Sequence, residues 1–191
     1  MNKLKDSDVR RVLDKALCEK YGQNLDTKIY HELGILHGRS RIDIAVVNGI
    51  LHGYEIKSES DNLLRLPTQI RDYNSVFDKV TIVTQRCHLN EIRSIVPKWW
   101  GIILLTKYKG KLNLRQVRTG KNNPNIDSFA LSHFLWKNEA VEILKERDLH
   151  HGLISKPRKE LYLKIAESLE LDELKSCVSM KLRSRVDWLN N

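Results

Sequence analysis

Residues 41–57 read Arg-Ile-Asp-Ile-Ala-Val-Val-Asn-Gly-Ile-Leu-His-Gly-Tyr-Glu-Ile-Lys. Two apolar runs rich in β-branched residues, Arg41–Val47 and Ile50–Lys57, flank an Asn-Gly pair, the signature of two strands joined by a hairpin. Each run carries charge where a buried strand should carry none: Asp43 in the first, Glu55 and Lys57 in the second. Period-two alternation sets Glu55 and Lys57 on one face with Ile56 turned away, and puts Ile42 and Ile44 on the face opposite Asp43. An acid in so apolar a strand needs a compensating partner, because an unpaired buried charge is costly.

The length of the turn decides whether the acids meet. A two-residue Asn48-Gly49 loop pairs Val47 with Ile50, sets Asp43 across from Tyr54 and sends Glu55 to the other face. A three-residue loop over Asn48–Ile50 sets Asp43 directly across from Glu55, and one over Val47–Gly49 sets it diagonal. A shared carboxylate site therefore requires an odd loop or a bulge. Two carboxylates on one face repel each other, and a hard divalent cation, Mg2+ or Mn2+, is a common way to satisfy both. Lys57 beside them can stabilise charge on a phosphate or position a water. The plainer alternative is a surface acid pair with a salt-bridging lysine. Acid-x-Lys occurs three times, at Asp26-Thr27-Lys28, Glu55-Ile56-Lys57 and Glu173-Leu174-Lys175. Only the middle copy lies in a β-like run.

Working outward, Val9, Val12, Leu13 and Leu17 recur at helical spacing and predict a helix over Ser7–Lys20, followed by a strand over Ile29–Leu36. Beyond Lys57, Leu66, Ile70, Tyr73 and Phe77 mark a second helix, with Pro67 acceptable in its opening turn. A strand at Val80–Val83, a short helix at Leu89–Val96 and a strand at Gly101–Leu105 follow. Leu112–Val117 pairs with that last strand through a turn at Lys109 and Gly110. From Asp127 onward the periodicity is helical, with candidates at Ser128–Glu146, Arg158–Leu169 and Asp172–Leu189. The expected fold is α/β: an αβββαβ core with a mixed central sheet over residues 1–120, and a helical extension over 121–191 packed on or beside it. The loop Gly120–Asn125 marks the boundary.

The order of helix, three-stranded meander with Asp43 and Glu55-Ile56-Lys57, helix and strand resembles the PD-(D/E)XK nuclease superfamily and its restriction-endonuclease-like core. Gln69 and Tyr73, four residues apart on one helix face, resemble the Gln-x-x-x-Tyr motif of its RecB-like and lambda-exonuclease-like branches. The resemblance covers roughly Ser7–Leu105, and the whole chain also looks like small bacterial and phage proteins of that superfamily. It implies a Mg2+- or Mn2+-dependent nuclease acting on DNA, in phage biology or in DNA repair or defence. Metal ligation would fall to Asp43, Glu55 and the Ile56 carbonyl, and phosphate or water positioning to Lys57, Gln69 and Tyr73. A further acid often comes from the first helix or first strand; Glu32 is the preferred candidate, with Asp14 and Glu19 behind it. The proline that precedes the first acid in the superfamily is absent, since Arg41 and Ile42 stand before Asp43.

Charge supports a polyanionic partner. Between Lys79 and Lys121 there are ten Lys or Arg residues against the single acid Glu91, an imbalance equal to the whole formal net charge of +9. Lys107, Lys109, Lys111, Arg115 and Arg118 fall on the expected hairpin and Arg41 beside Asp43, where they could follow a phosphate backbone. In the C-terminal helices Lys181, Arg183 and Arg185 alternate with acids and predict a solvated face. Hydrophobic residues at 41% and charged residues at 30% argue against wholesale disorder, and no apolar run reaches membrane-spanning length. The polar start Met1–Arg11 predicts no secretory signal, so the chain is expected in the cytoplasm. Cys18, Cys87 and Cys177 lack CxxC pairing and are expected to be buried free thiols. None of the seven histidines has zincin-type spacing, and Trp99 and Trp100 are expected in the core. Two rivals remain: a catalytically inactive nucleic-acid-binding module of the same fold, and a partner-binding or self-associating protein of a phage or defence system that docks through its C-terminal helices.

Overall fold

Residues 6–185 are described by the computed structural model. Helix α1 (Asp6–Tyr21) precedes a meander of β1 (Lys28–Ile35), β2 (Ser40–Val47) and β3 (Leu51–Lys57). Then come α2 (Leu66–Asn74), β4 (Lys79–Thr84), α3 (Leu89–Ile95), β5 (Gly101–Tyr108) and β6 (Lys111–Arg118). Helices α4 (Ser128–Ser132), α5 (Lys137–Lys145), α6 (Arg158–Ser168) and α7 (Leu171–Ser184) complete the described chain. The strands form one mixed sheet in the order β1-β2-β3-β4-β5-β6, with β3, β4 and β5 parallel and the other pairs antiparallel.

Both faces of the sheet are covered, which is why β2 and β3 lose simple alternation and read as nearly continuous apolar runs. On one face Val9, Leu13 and Leu17 of α1 pack on Ile44, Val46, Tyr54, Ile56, Val83 and Leu105. On the other, Leu66, Tyr73 and Phe77 share a core with Leu51, Val80, Ile82 and Trp100. Leu131, Ile143, Leu161, Ile165, Val178 and Leu182 from the C-terminal helices belong to that same core. Gly53 permits the close approach of α2, since a Cβ there would meet Phe77 and Ile42 at 3.2–3.3 Å.

The expected boundary at Gly120–Asn125 is strapped to the sheet layer. Asn123 donates its side-chain N–H groups to the carbonyls of Asn74 (2.7 Å) and Phe77 (2.9 Å), and its main-chain N–H to Asp78 (2.8 Å). The expected helix over Ser128–Glu146 is two, α4 and α5. Trp136 is extended at φ −72°, ψ 161°, and donates its N–H to the Glu139 carboxylate at 2.7 Å, so a new helix starts there. Arg185 is not on a solvated face: it is buried in an ion pair with Glu139 at 2.6 Å, its guanidinium 4.1 Å from the Trp136 ring centroid. Helix α7 closes at Ser184, and the rest of the expected span to Leu189 lies outside the described residues. Trp100 is fully buried, whereas Cys18 and Cys87 are exposed and only Cys177 is buried, contrary to the expectation for three buried thiols. Cysteine spacing alone carries no information about which side of a helix or loop faces the core. No described helix is long and apolar enough to cross a membrane.

Candidate active site

The β2–β3 hairpin has the odd loop that a shared carboxylate site requires. Pairing runs from Ile44↔Tyr54 to Val47↔Leu51, leaving Asn48, Gly49 and Ile50 as the turn, with Gly49 at φ +96°. Continued by one residue, this register sets Asp43 opposite Glu55. The side chain of Asp43 replaces a main-chain partner there, because its Oδ2 accepts from the Ile56 N–H at 2.7 Å.

Alternation does not pass unbroken through Asp43. Ile42 belongs to the α2-side core and Ile44 to the α1-side core, so the two do not share a face as the sequence pattern implied. The cause lies on the neighbouring strand, where Glu32, opposite Asp43 in the β1–β2 register, has φ +54°. A left-handed non-glycine residue costs about 1–2 kcal/mol and kinks the ladder. Asp43 sits at that kink, within reach of α1 as well as of β3.

Glu55 is almost fully buried at 2% exposure, and three side chains donate to its carboxylate. Lys57 Nζ lies 2.5 Å from Oε1, Gln69 Nε2 donates to the same oxygen at 2.6 Å, and the Tyr73 hydroxyl lies 2.7 Å from Oε2. The same hydroxyl is 2.7 Å from the Arg41 carbonyl oxygen, so its one proton serves one acceptor at a time. Gln69 Nε2 also approaches the Tyr73 oxygen at 3.1 Å, while Gln69 Oε1 is buried without a partner. Of the expected set, Glu55, Lys57, Gln69 and Tyr73 are therefore one hydrogen-bonded cluster, and Asp43 lines the same cavity beside it.

Burial pushes the Glu55 carboxyl up, against the pull of Lys57, Tyr73 and Gln69. Asp43 is pushed up to about 7, first by burial and then by the charge of Glu55; the Ile56 N–H and Arg10 act the other way. The Tyr73 hydroxyl is raised by burial and by Glu55. Two acids raised together by desolvation are the condition that an added positive charge relieves.

Part of that charge comes from Arg10 on α1, which the sequence pattern did not single out. Its Nη2 lies 2.7 Å from Asp43 Oδ1 and 2.6 Å from Glu32 Oε1, and its Nη1 donates to the Asp43 carbonyl at 3.2 Å. Burial alone would make Arg10 less basic, but Asp43, Glu32 and Asp6 hold it above the usual value. Glu32 is thus drawn to cations, with Arg41 Nε at 2.8 Å on its second oxygen, and does not form a three-acid cluster with Asp43 and Glu55. Asp14 approaches His31 at 3.6 Å and Glu19 approaches Lys15 at 3.9 Å, so neither acid of α1 supplies the further ligand. The signal that could have found Arg10 is its place one residue from Val9 on the helix that covers the β2–β3 pair.

These groups line one open cavity of about 1100 Å³, whose walls include Asp43, Glu55, Ile56, Lys57 and Gln69. Arg39, Arg41 and Arg65 stand on its rim. Arg39 is anchored by the buried Asp72, which also takes a hydrogen bond from Ser40. Burial would raise the Asp72 carboxyl, but the bonds from Arg39 and Ser40 hold it below its usual value.

The expected basic hairpin forms, with a tight turn at Lys109 (φ +46°) and Gly110 (φ +79°). Lys107, Lys109, Lys111 and Arg115 are exposed, whereas Arg118 is tied to the carbonyls of Trp100 (2.7 Å) and Pro97 (2.9 Å). Lys57, Thr84 and Leu104 align across β3, β4 and β5, so the hairpin runs on beyond the strand ends at which Lys57 sits.

A family model described as bacteriophage P4 protein cII matches residues 2–189. The chain belongs to the P4 cII family. Protein cII of Enterobacteria phage P4 is 25% identical over 188 residues, spanning 98% of this chain and 70% of that protein. Among solved structures, this P4 cII family member is similar to a protein of unknown function from Silicibacter pomeroyi. That likeness is at 15% identity and a TM-score of 0.39, over 69% of this chain and 86% of the other.

Proposed function

We propose that the chain is a metal-dependent nuclease of the PD-(D/E)XK type that hydrolyses phosphodiester bonds, in DNA by the family resemblance. The observation that carries this reading is the convergence of Lys57, Gln69 and Tyr73 on the Glu55 carboxylate, in the cavity that Asp43 also lines. Buried structural ion pairs have no need of an open cavity or of a second raised carboxyl beside them.

The donor set suits a hard dication. Asp43 offers either carboxylate oxygen and Glu55 its Oε2, since Oε1 already accepts from both Lys57 and Gln69, and the open cavity leaves room for the waters that Mg2+ or Mn2+ retains. Asp43, Glu55 and the Ile56 carbonyl would hold the ion, and Glu32 could contribute only after releasing Arg10 and Arg41. When bound, the ion would supply Lewis-acid polarisation of a phosphoryl oxygen. The rest falls to side chains. Gln69 and Tyr73 fix the rotamer of Glu55, so that its carboxylate needs no reordering when substrate arrives. The Lys57 ammonium faces the cavity from the same strand face and can orient an attacking water or stabilise charge on the phosphate oxygens. Arg39, Arg41 and Arg65, which are exposed and line the cavity, can hold flanking phosphates, and the exposed Lys107, Lys109 and Lys111 of the hairpin beyond the same strand ends can attract more distant ones.

One observation favours a second reading, a binding module without catalysis: Arg10 already neutralises Asp43 from α1. Cleavage of linear, circular and single-stranded DNA separates the two. With Mg2+ or Mn2+, cutting is expected that disappears in EDTA and in Asp43→Ala. No cutting, together with salt-sensitive binding equal in wild type and Asp43→Ala, would instead establish the binding module.

A further inference from the structure

The connection between α5 and α6 brings together three donor atoms that the reading above leaves unused. Asp148 Oδ1, His150 Nδ1 and His151 Nε2 all lie within 4.8 Å of one another. Asp148 Oδ1 is 2.9 Å from the His151 nitrogen and 3.9 Å from the His150 nitrogen. A tetrahedral Zn2+ with ligand bonds of about 2.0–2.1 Å spaces its donor atoms roughly 3.3 Å apart, which falls between these two separations. The carboxylate is therefore already placed near ligand spacing from both imidazoles.

A second observation points the same way. His150 Nδ1 is shielded from solvent and has no hydrogen-bond partner. In contrast, Nδ1 of His133 lies 2.8 Å from the Phe129 carbonyl oxygen. Leaving a buried ring nitrogen unpartnered is unfavourable, and a ligand that takes its lone pair removes the cost. The two imidazoles already lie in contact, tilted at 32° with ring centroids 4.3 Å apart, so both rings are near one point in space before any ion binds.

We propose that Asp148, His150 and His151 form a site for a transition-metal dication of the Zn2+ class, separate in place and in chemistry from the carboxylate cleft. Two imidazoles and one carboxylate favour borderline metals such as Zn2+, Co2+ or Ni2+ over Mg2+, which prefers oxygen ligands. Three protein ligands leave a fourth position for water. The ion would pin the turn that joins α5 to α6, and because the unfolded chain has no preformed site, binding would stabilise the fold by an amount that rises with the logarithm of metal activity.

The test is calorimetric titration of the full chain with ZnCl2 in excess Mg2+, with CoCl2 as a spectroscopic probe. One Zn2+ per chain is expected, raising Tm, with affinity at least about tenfold weaker in His151→Ala and in Asp148→Asn and unchanged in Asp43→Ala. Co2+ should give the visible bands of a nitrogen- and oxygen-ligated ion. Wild type that binds no Zn2+, or binding that survives both loop substitutions, overturns the proposal. So does binding that shows thiolate-to-cobalt charge transfer and is lost in Cys18→Ser or Cys87→Ser.

Discussion

The carboxylate cleft and the β5–β6 hairpin both carry charge, but they hold it in opposite ways. In the cleft the two central carboxylates are withdrawn from water, Glu55 buried and Asp43 half-buried, and each is fixed by neighbours: Glu55 by Lys57, Gln69 and Tyr73, and Asp43 by Ile56 and Arg10. On the hairpin Lys107, Lys109, Lys111 and Arg115 extend into water from a two-stranded ribbon. Buried charges are coupled to stability and to one another, whereas exposed ones act at long range and are screened by salt. Under the proposed nuclease reading, the cleft would serve chemistry at a fixed place and the hairpin attraction without fixed contacts.

That contrast can be broken by substitution. The largest expected effect is at Lys57. Lys57→Ala leaves Glu55 buried without its ion-pair partner, and urea unfolding should show a loss of about 3 kcal/mol, together with loss of any metal-dependent cleavage. A loss below about 1 kcal/mol would mean that Glu55 is neutral and that the pair is not ionic.

Asp43→Asn should act in the other direction. The carboxyl titrates higher in the folded chain, at about 7, than in the unfolded one. Between the unfolded value and about 7 the folded state therefore binds the extra proton, and stability falls as pH rises through that window. In EDTA, Asp43→Asn should exceed wild type by at least about 1 kcal/mol above pH 7, with the gain vanishing near pH 4. An equal gain at both pH values would show that the effect is not electrostatic.

Tyr73→Phe removes a single hydroxyl from Glu55 and the Arg41 carbonyl, and about 1 kcal/mol should be lost without change of fold. The smallest effects on stability belong to the hairpin. Lys107→Ala, Lys109→Ala and Lys111→Ala should each change unfolding free energy by less than about 0.5 kcal/mol. Each should nevertheless lower DNA affinity and reduce the slope of log K against log salt by up to about 0.9. If a hairpin lysine proved as important to folding as Lys57, the distinction between the two regions would fail.

The sequence foretold unequal parts of this arrangement for physical reasons. The odd loop followed from the requirement that two acids share a face, although Asn48-Gly49 by itself favours the shorter turn and the opposite parity. The Gln69–Tyr73 pair was legible because four residues make one helical turn. Glu32 was not, because nothing in a glutamate marks a left-handed backbone, and the kink there splits Ile42 from Ile44 and opens Asp43 to α1. Arg10 was missed for the same reason, since its partners lie 22 and 33 residues away and meet it only through that kink. The break between α4 and α5 was hidden by continuous helical periodicity, and only the bond from Trp136 to Glu139 reveals it.

The stitching of β1 to the end of α7 has a consequence for biosynthesis. The Tyr30 hydroxyl donates to the Leu182 carbonyl and the Lys28 ammonium to that of Arg185, contacts that span 152 and 157 residues. While the ribosome is still translating α6, the residues of the cleft are already free of the exit tunnel, but α7 is not yet there to accept these two bonds. The nascent chain would thus carry the acid pocket beside a core that still lacks Leu174, Val178 and Leu182 until α7 emerges, and partly exposed apolar surface of that kind is prone to aggregate.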